Sequence, residues 1–174
     1  MAVYRFEAKT PTIGKETYVA ESAEVIGDVV IGDNCYVGPG SRIRGDYGRI
    51  EIGRSTSIEE NCVLHARPNE LCRVGDHVTV GHGAILHNCN IRNCVVVGMG
   101  AIVSDYCDVG EWAVVGEGAV VKNSTEIPPG KIAVGVPAKV VADVVEEYKQ
   151  QWTGFKDIYV DLARRYPKGL ERID

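Results

Sequence analysis

The chain repeats itself every six residues. An aliphatic side chain recurs as Val19, Val25, Ile31, Val37 and Ile43, and continues as Ile52, Ile58, Leu64, Val74, Val80, Leu86, Ile91, Val97, Val103, Val109, Val115, Val121 and Ile127. Four residues after most of these comes a small side chain, among them Cys35, Ser41, Thr56, Cys62, Ala84, Ala101, Cys107, Ala113 and Ala119. A helix needs apolar spacing of three and four, and a simple strand needs strict alternation. Neither pattern is present. Two inward positions per six, with glycine between, suit a short strand followed by a sharp corner. A coil made of such strands buries its aliphatics in a narrow shaft, with room at the corners only for small side chains. The eighteen aliphatic positions, at three faces to a turn, predict an all-β solenoid of six turns.

The remaining composition narrows the function. A net charge of −5 without a basic run argues against nucleic-acid binding. No stretch approaches a membrane span, and the start, MAVYRFEAKTP, has no apolar core of signal-peptide length. Cys35, Cys62 and Cys107 occupy the small inward slot and read as reduced packing residues, while Cys89 and Cys94 are spaced too widely for a CxxC motif. A cytoplasmic location is expected. After Pro137 the pattern changes. Tyr148, Trp152, Phe155, Tyr159, Leu162 and Tyr166 fall on one helical stripe, with Gly154 expected to bend the helix and Pro167 with Gly169 expected to end it. The chain therefore divides into a β-helix over residues 1–136 and a helical appendage over 137–174, packed on the prism or on a neighbouring subunit.

The faces stack in threes, so counting them gives neighbours in space. Leu86 falls above Leu64, and Ile43 below it, so the residues one place later form a column: Arg44, His65, His87. Each follows an inward aliphatic and points outward by strand alternation. His65 and His87 should then project side by side, about 4.8 Å apart at the backbone, a suitable separation for sharing a metal. The long step from Leu64 to Val74 makes residues 66–73 a loop. His82 lies at a corner, with Glu60 equivalent to it one turn below and Glu59 beside that. Outward directions change at each corner, so one chain does not readily bring His82 to the other two. A cyclic homotrimer would place His82 of one subunit opposite His65 and His87 of the next. His77 has no matched partner and reads as a surface residue. Arg44 and Asp46 read first as an ion pair between subunits.

These same segments resemble the γ-class carbonic anhydrases of the hexapeptide-repeat superfamily. The resemblance rests on Arg44-Gly45-Asp46, the stretch from Ser57 to His65, the segment from Val80 to His87, Val97-Gly98-Met99-Gly100 and Val134-Gly135-Val136-Pro137-Ala138. It covers roughly residues 13 to 135 and implies a left-handed parallel β-helix. It further implies a homotrimer holding zinc, or iron or cobalt in some members, through His65, His82 and His87 at subunit interfaces. The implied reaction is reversible hydration of carbon dioxide to bicarbonate by a metal-bound hydroxide, with Glu59 orienting the nucleophile and Arg44 and Asp46 assisting. Glu59 stands where the active enzymes carry Gln, Tyr47 follows Asp46, and the loop after His65 offers only Glu70 as an acid, so slow turnover is expected. Two other readings compete: acyl transfer or thioester hydrolysis on a CoA substrate, which uses one histidine as general base, and a non-catalytic metal-holding trimeric module.

Overall fold

Stacking sorts the inward aliphatics into three columns. The structure, a computed structural model, describes residues 2–174. The first column runs Val3, Val25, Ile43, Leu64, Leu86, Val103, Val121. The second runs Ile13, Ile31, Ile52, Val74, Ile91, Val109, Ile127. The third runs Val19, Val37, Ile58, Val80, Val97, Val115, Ala133. Nearly all of these side chains, together with the small corner residues Cys35, Cys62, Ala84, Ala101 and Ala119, are buried in one continuous core. The fold is the left-handed parallel β-helix expected, but with about seven turns where the period alone counts six. Val3 and Ile13 open an extra turn at the base and Ala133 completes one at the top. Val3 stands ten residues before Ile13, off the six-residue spacing, and Ala133 is not a branched aliphatic, so the eighteen-position count stops short of them; Ile13 lies on the period, six residues before Val19.

The corners are made by backbone in the left-handed region. The residue just before many of the small inward side chains has positive φ: Asn34, Ser55, Asn61, Gly83, Cys94, Gly100, Trp112 and Gly118 all do. Asn tolerates that conformation and Gly adopts it freely, whereas Cys94 and Trp112 carry real strain that the stacked turns must hold. His77 is another such corner (φ 51°), half-buried, with its N–H donating to the Arg54 carbonyl one turn below. Beneath the corner that carries Glu59 and Glu60, a Cβ on Gly38 would come within 2.9 Å of their backbone, so this turn can stack only over glycine.

The last parallel strand, Lys131–Val134, also pairs antiparallel with Lys139–Asp143, and the helix Glu146–Gly169 follows. It passes Gly154, carries Pro167 inside its last turn and ends after Gly169. No described helix is long and apolar enough to cross a membrane. This helix lies on the third face of its own chain. Tyr159 and Tyr166 pack against Tyr36, and Tyr166 against Tyr18. The aromatic stripe is only part of the docking surface, since Phe155 is exposed while its neighbour Lys156 is buried. Beneath Lys156 the prism presents two oxygens, the Thr79 hydroxyl at 3.2 Å and the Val95 carbonyl at 3.1 Å, and these accept from the ammonium. A buried charge is tolerated when its donors are satisfied in this way.

Burial still pushes Lys156 down to about 8. The unfolded chain keeps this proton to roughly pH 10, so the penalty for charged Lys156 is full below about pH 8 and fades above it. Relative to Lys156→Met, the wild-type protein should gain stability between about pH 8 and about pH 10, by at most on the order of 3 kcal/mol. Urea denaturation of both proteins across that range measures the gain, and a pH-independent difference would contradict it.

Candidate metal centre

The register places Arg44, His65 and His87 in one outward column, as counted from the repeat. His65 Nδ1 and His87 Nε2 face each other at 3.2 Å. Each ring is tethered at its other nitrogen by a carboxylate: His65 Nε2 lies 2.9 Å from Asp46 Oδ1, and His87 Nδ1 lies 2.5 Å from Asp105 Oδ1. Each carboxylate is held in turn by an arginine, Asp46 by Arg44 and Asp105 by Arg67 at 2.6 Å. Arg44 and Asp46 thus pair within a single chain.

The electrostatics assign the ring protons. Burial works against the charge on Asp46, but the hydrogen bonds from His65 and Arg44 prevail and hold its carboxyl below the ordinary range. Arg67 chiefly, with His87, does the same for Asp105 despite its burial. Ionised carboxylates can only accept, so in the neutral rings the protons sit on His65 Nε2 and His87 Nδ1. With both rings neutral, two lone pairs would then face each other at 3.2 Å, a repulsion that a shared proton or metal ion relieves. Two nitrogens bound at about 2.0–2.1 Å to a tetrahedral zinc lie roughly 3.3–3.4 Å apart, so the donor pair has the right chemistry and spacing for a shared metal ion. Carboxylates on the far nitrogens are the usual outer partners of such ligands.

His82 sits at its corner with both ring nitrogens engaged, Nε2 at 3.1 Å from Glu59 and Nδ1 at 2.5 Å from Glu60. Glu60 also accepts from the Tyr36 hydroxyl at 3.0 Å. Glu59 is nearly inaccessible, and its burial raises its affinity for a proton, an effect the adjacent His82 partly offsets. Among the described residues of one chain, no group of three or more His, Cys, Asp or Glu side chains is placed to hold a metal. His65 and His87 are together; His82 is apart from them.

Asp105 and Arg67 escaped the sequence reading. The signal for Asp105 was present, because Val103 stacks on Leu86 and carries Asp105 up beside His87. Arg67 had none, since it reaches back from an irregular loop. Tyr47, which follows Asp46 in the sequence, is exposed and lies edge-on to His65 with ring centroids 6.3 Å apart.

The chain resembles known proteins along most of its length. Residues 10–45 match the family described as bacterial transferase hexapeptide (six repeats). The chain is 36% identical over 170 residues to a carbonic anhydrase of Geobacillus kaustophilus, covering 98% of this chain and 93% of that protein. This chain belongs to the γ-class carbonic anhydrase-like proteins of the hexapeptide-repeat superfamily. Within that family it is also 38% identical over 166 residues to the carnitine operon protein CaiE of Citrobacter koseri, covering 95% of this chain and 84% of the other. Among solved structures, a hexapeptide transferase family protein from Anaplasma phagocytophilum superimposes with a TM-score of 0.91 at 32% identity, covering 95% of this chain and 98% of that one.

The tethering makes a spectroscopic prediction for this γ-class relative. In nitrogen–proton NMR spectra of chelator-treated protein near neutral pH, neutral His87 should carry its proton on Nδ1. Asp105→Ala should move that proton to Nε2, and an unchanged pattern in the variant would remove Asp105 from the role of tether.

Proposed function

We propose that this protein is a metal-dependent catalyst of reversible carbon dioxide hydration, active as a homotrimer with sites shared between subunits. The observation that carries the reading is the pair of facing imidazole nitrogens at 3.2 Å, each tethered by a carboxylate. His65 and His87 of one chain would hold the ion, and His82 of a neighbour would complete three protein ligands, leaving a fourth position open. A bound zinc supplies a water of pKa about 7. The remaining work falls to the chain. Asp46 and Asp105 keep the two imidazoles in the ligating tautomer. Arg44, already beside Asp46, offers a cation at the edge of the column where bicarbonate forms. Glu59 orients the attacking oxygen by accepting a hydrogen bond, but its charge opposes the nascent anion.

The same face supports the trimer. Val63, Ile85, Ile102 and Val120 stack in register immediately beside the histidine column and point outward. Val63 and Ile85 are 40% and 38% exposed, an apolar ladder on a face whose site is incomplete within one chain.

Light scattering of metal-replete protein should give about three times the 18.9 kDa chain mass, and elemental analysis one divalent ion per chain. A monomer in metal-replete buffer would overturn the shared site. His82→Ala should empty the site and leave the core folded, because the packed aliphatics are untouched. Stopped-flow hydration should be detectable and slow. Glu59→Gln should raise it roughly tenfold, equivalent to about 1.4 kcal/mol, because the amide keeps the hydrogen bond without the charge. If a metal-loaded trimer stays inert with either residue, carbon dioxide is not the substrate.

A further inference from the structure

A cleft of about 250 Å3 lies between the C-terminal helix and the third face of the prism. The helix lends Trp152, Phe155 and Ile158, and the prism lends Thr79, Val96 and Met99. Glu59 and His82 also border it. Carbon dioxide has three atoms and needs no such walls. The volume falls just below the roughly 300–1,000 Å3 of drug-sized sites, so it suits a fragment-sized ligand with an apolar body.

The polar groups of the cleft are Glu59, His82, Glu117, the Tyr159 hydroxyl, which bonds Glu59, and Thr79, which is 4% exposed. The Thr79 hydroxyl accepts from the Lys156 ammonium at 3.2 Å, so its own proton must point elsewhere. Among the described residues that hydroxyl donates no hydrogen bond, and Thr79 lines the cleft. A buried donor left unmatched costs free energy that a ligand acceptor would recover. Lys156 stands behind it, so the donor is polarised by a full charge, and charge-assisted bonds favour an anionic acceptor. No lysine or arginine borders the cleft directly. Of its two carboxylates, Glu59 is engaged with His82 at 3.1 Å and Glu117 is exposed to solvent.

We infer that this cleft binds a small apolar acyl group, as a free carboxylate or as its ester, with an acyl oxygen on the Thr79 hydroxyl and the apolar body between Trp152, Phe155 and Val96. This ligand class goes beyond hydration and does not require the metal. It gives the C-terminal helix a part in recognition, since three of the apolar walls are its side chains.

Trp112→Phe leaves Trp152 as the sole tryptophan and makes its fluorescence the readout. Acetate, butyrate, benzoate and methyl benzoate are titrated into chelator-treated and metal-loaded protein. Benzoate or its ester should give a saturable change, at least about tenfold tighter than acetate, because apolar burial supplies most of the affinity. Preference for benzoate assigns the free carboxylate, and preference for methyl benzoate assigns the ester. Thr79→Val, which keeps the shape and removes the donor, should weaken the preferred ligand about tenfold or more. Phe155→Ala alters an exposed side chain and should weaken benzoate more than acetate, which guards against a folding artefact at Thr79. No saturable response from any ligand overturns the inference, and so does undiminished binding by Thr79→Val. Hydration assayed on the same metal-loaded sample separates the two readings. Lost hydration with retained benzoate binding removes only the hydration proposal.

Discussion

Everything in this molecule depends on parallel strands stacking in register about 4.8 Å apart. One buried column of aliphatics fixes the height and rotation of every outward residue. Leu64 under Leu86 sets His65 under His87, and Val103 above Leu86 carries Asp105 to the ring it tethers. The site is therefore a projection of the core. A slip of one residue in any turn would bury the imidazoles and expose the aliphatics, so the same burial that stabilises the prism guards the geometry of the chemistry.

A second constraint is the competition for imidazole protons. Each histidine of the pair offers two nitrogens, and each carboxylate claims one. Hydrogen bonds from the histidines and the arginines together hold both carboxyls below the ordinary range. Arg44 and Arg67 thus act at a distance of two side chains on the lone pairs of His65 and His87, although neither touches those lone pairs. His82 stands in a different setting, between two glutamates, one buried and one half-exposed.

Periodic features were legible in the sequence and aperiodic ones were not. The solenoid, the column of Arg44, His65 and His87, and the closeness of Glu59 and Glu60 to His82 all follow from counting by six. The seventh turn was hidden because Val3 lies off the period and Ala133 is small, although Ile13 stands six residues before Val19. Lys156 was missed because its neighbours on the stripe are aromatic. Its burial depends on two oxygens, from Thr79 and Val95, that come from a different part of the chain. Arg67 was illegible for a similar reason, since an irregular loop has no register from which to count.

The spacing between columns is not uniform. The step from the first face to the second takes six residues at Val25, nine at Ile43, ten at Leu64 and five at Leu86, as read from the paired positions. Length is thus absorbed at one edge of the prism, while the other two edges keep their strict count. Arg67 sits on the longest of these excursions. That edge can change in length while the aliphatic columns keep their register, although Ala66 and Cys72 on the longest excursion are themselves packed in the core. The tether on one histidine of the pair can be retuned that way, while the other, drawn from Asp46 and Arg44, stays anchored in a strand.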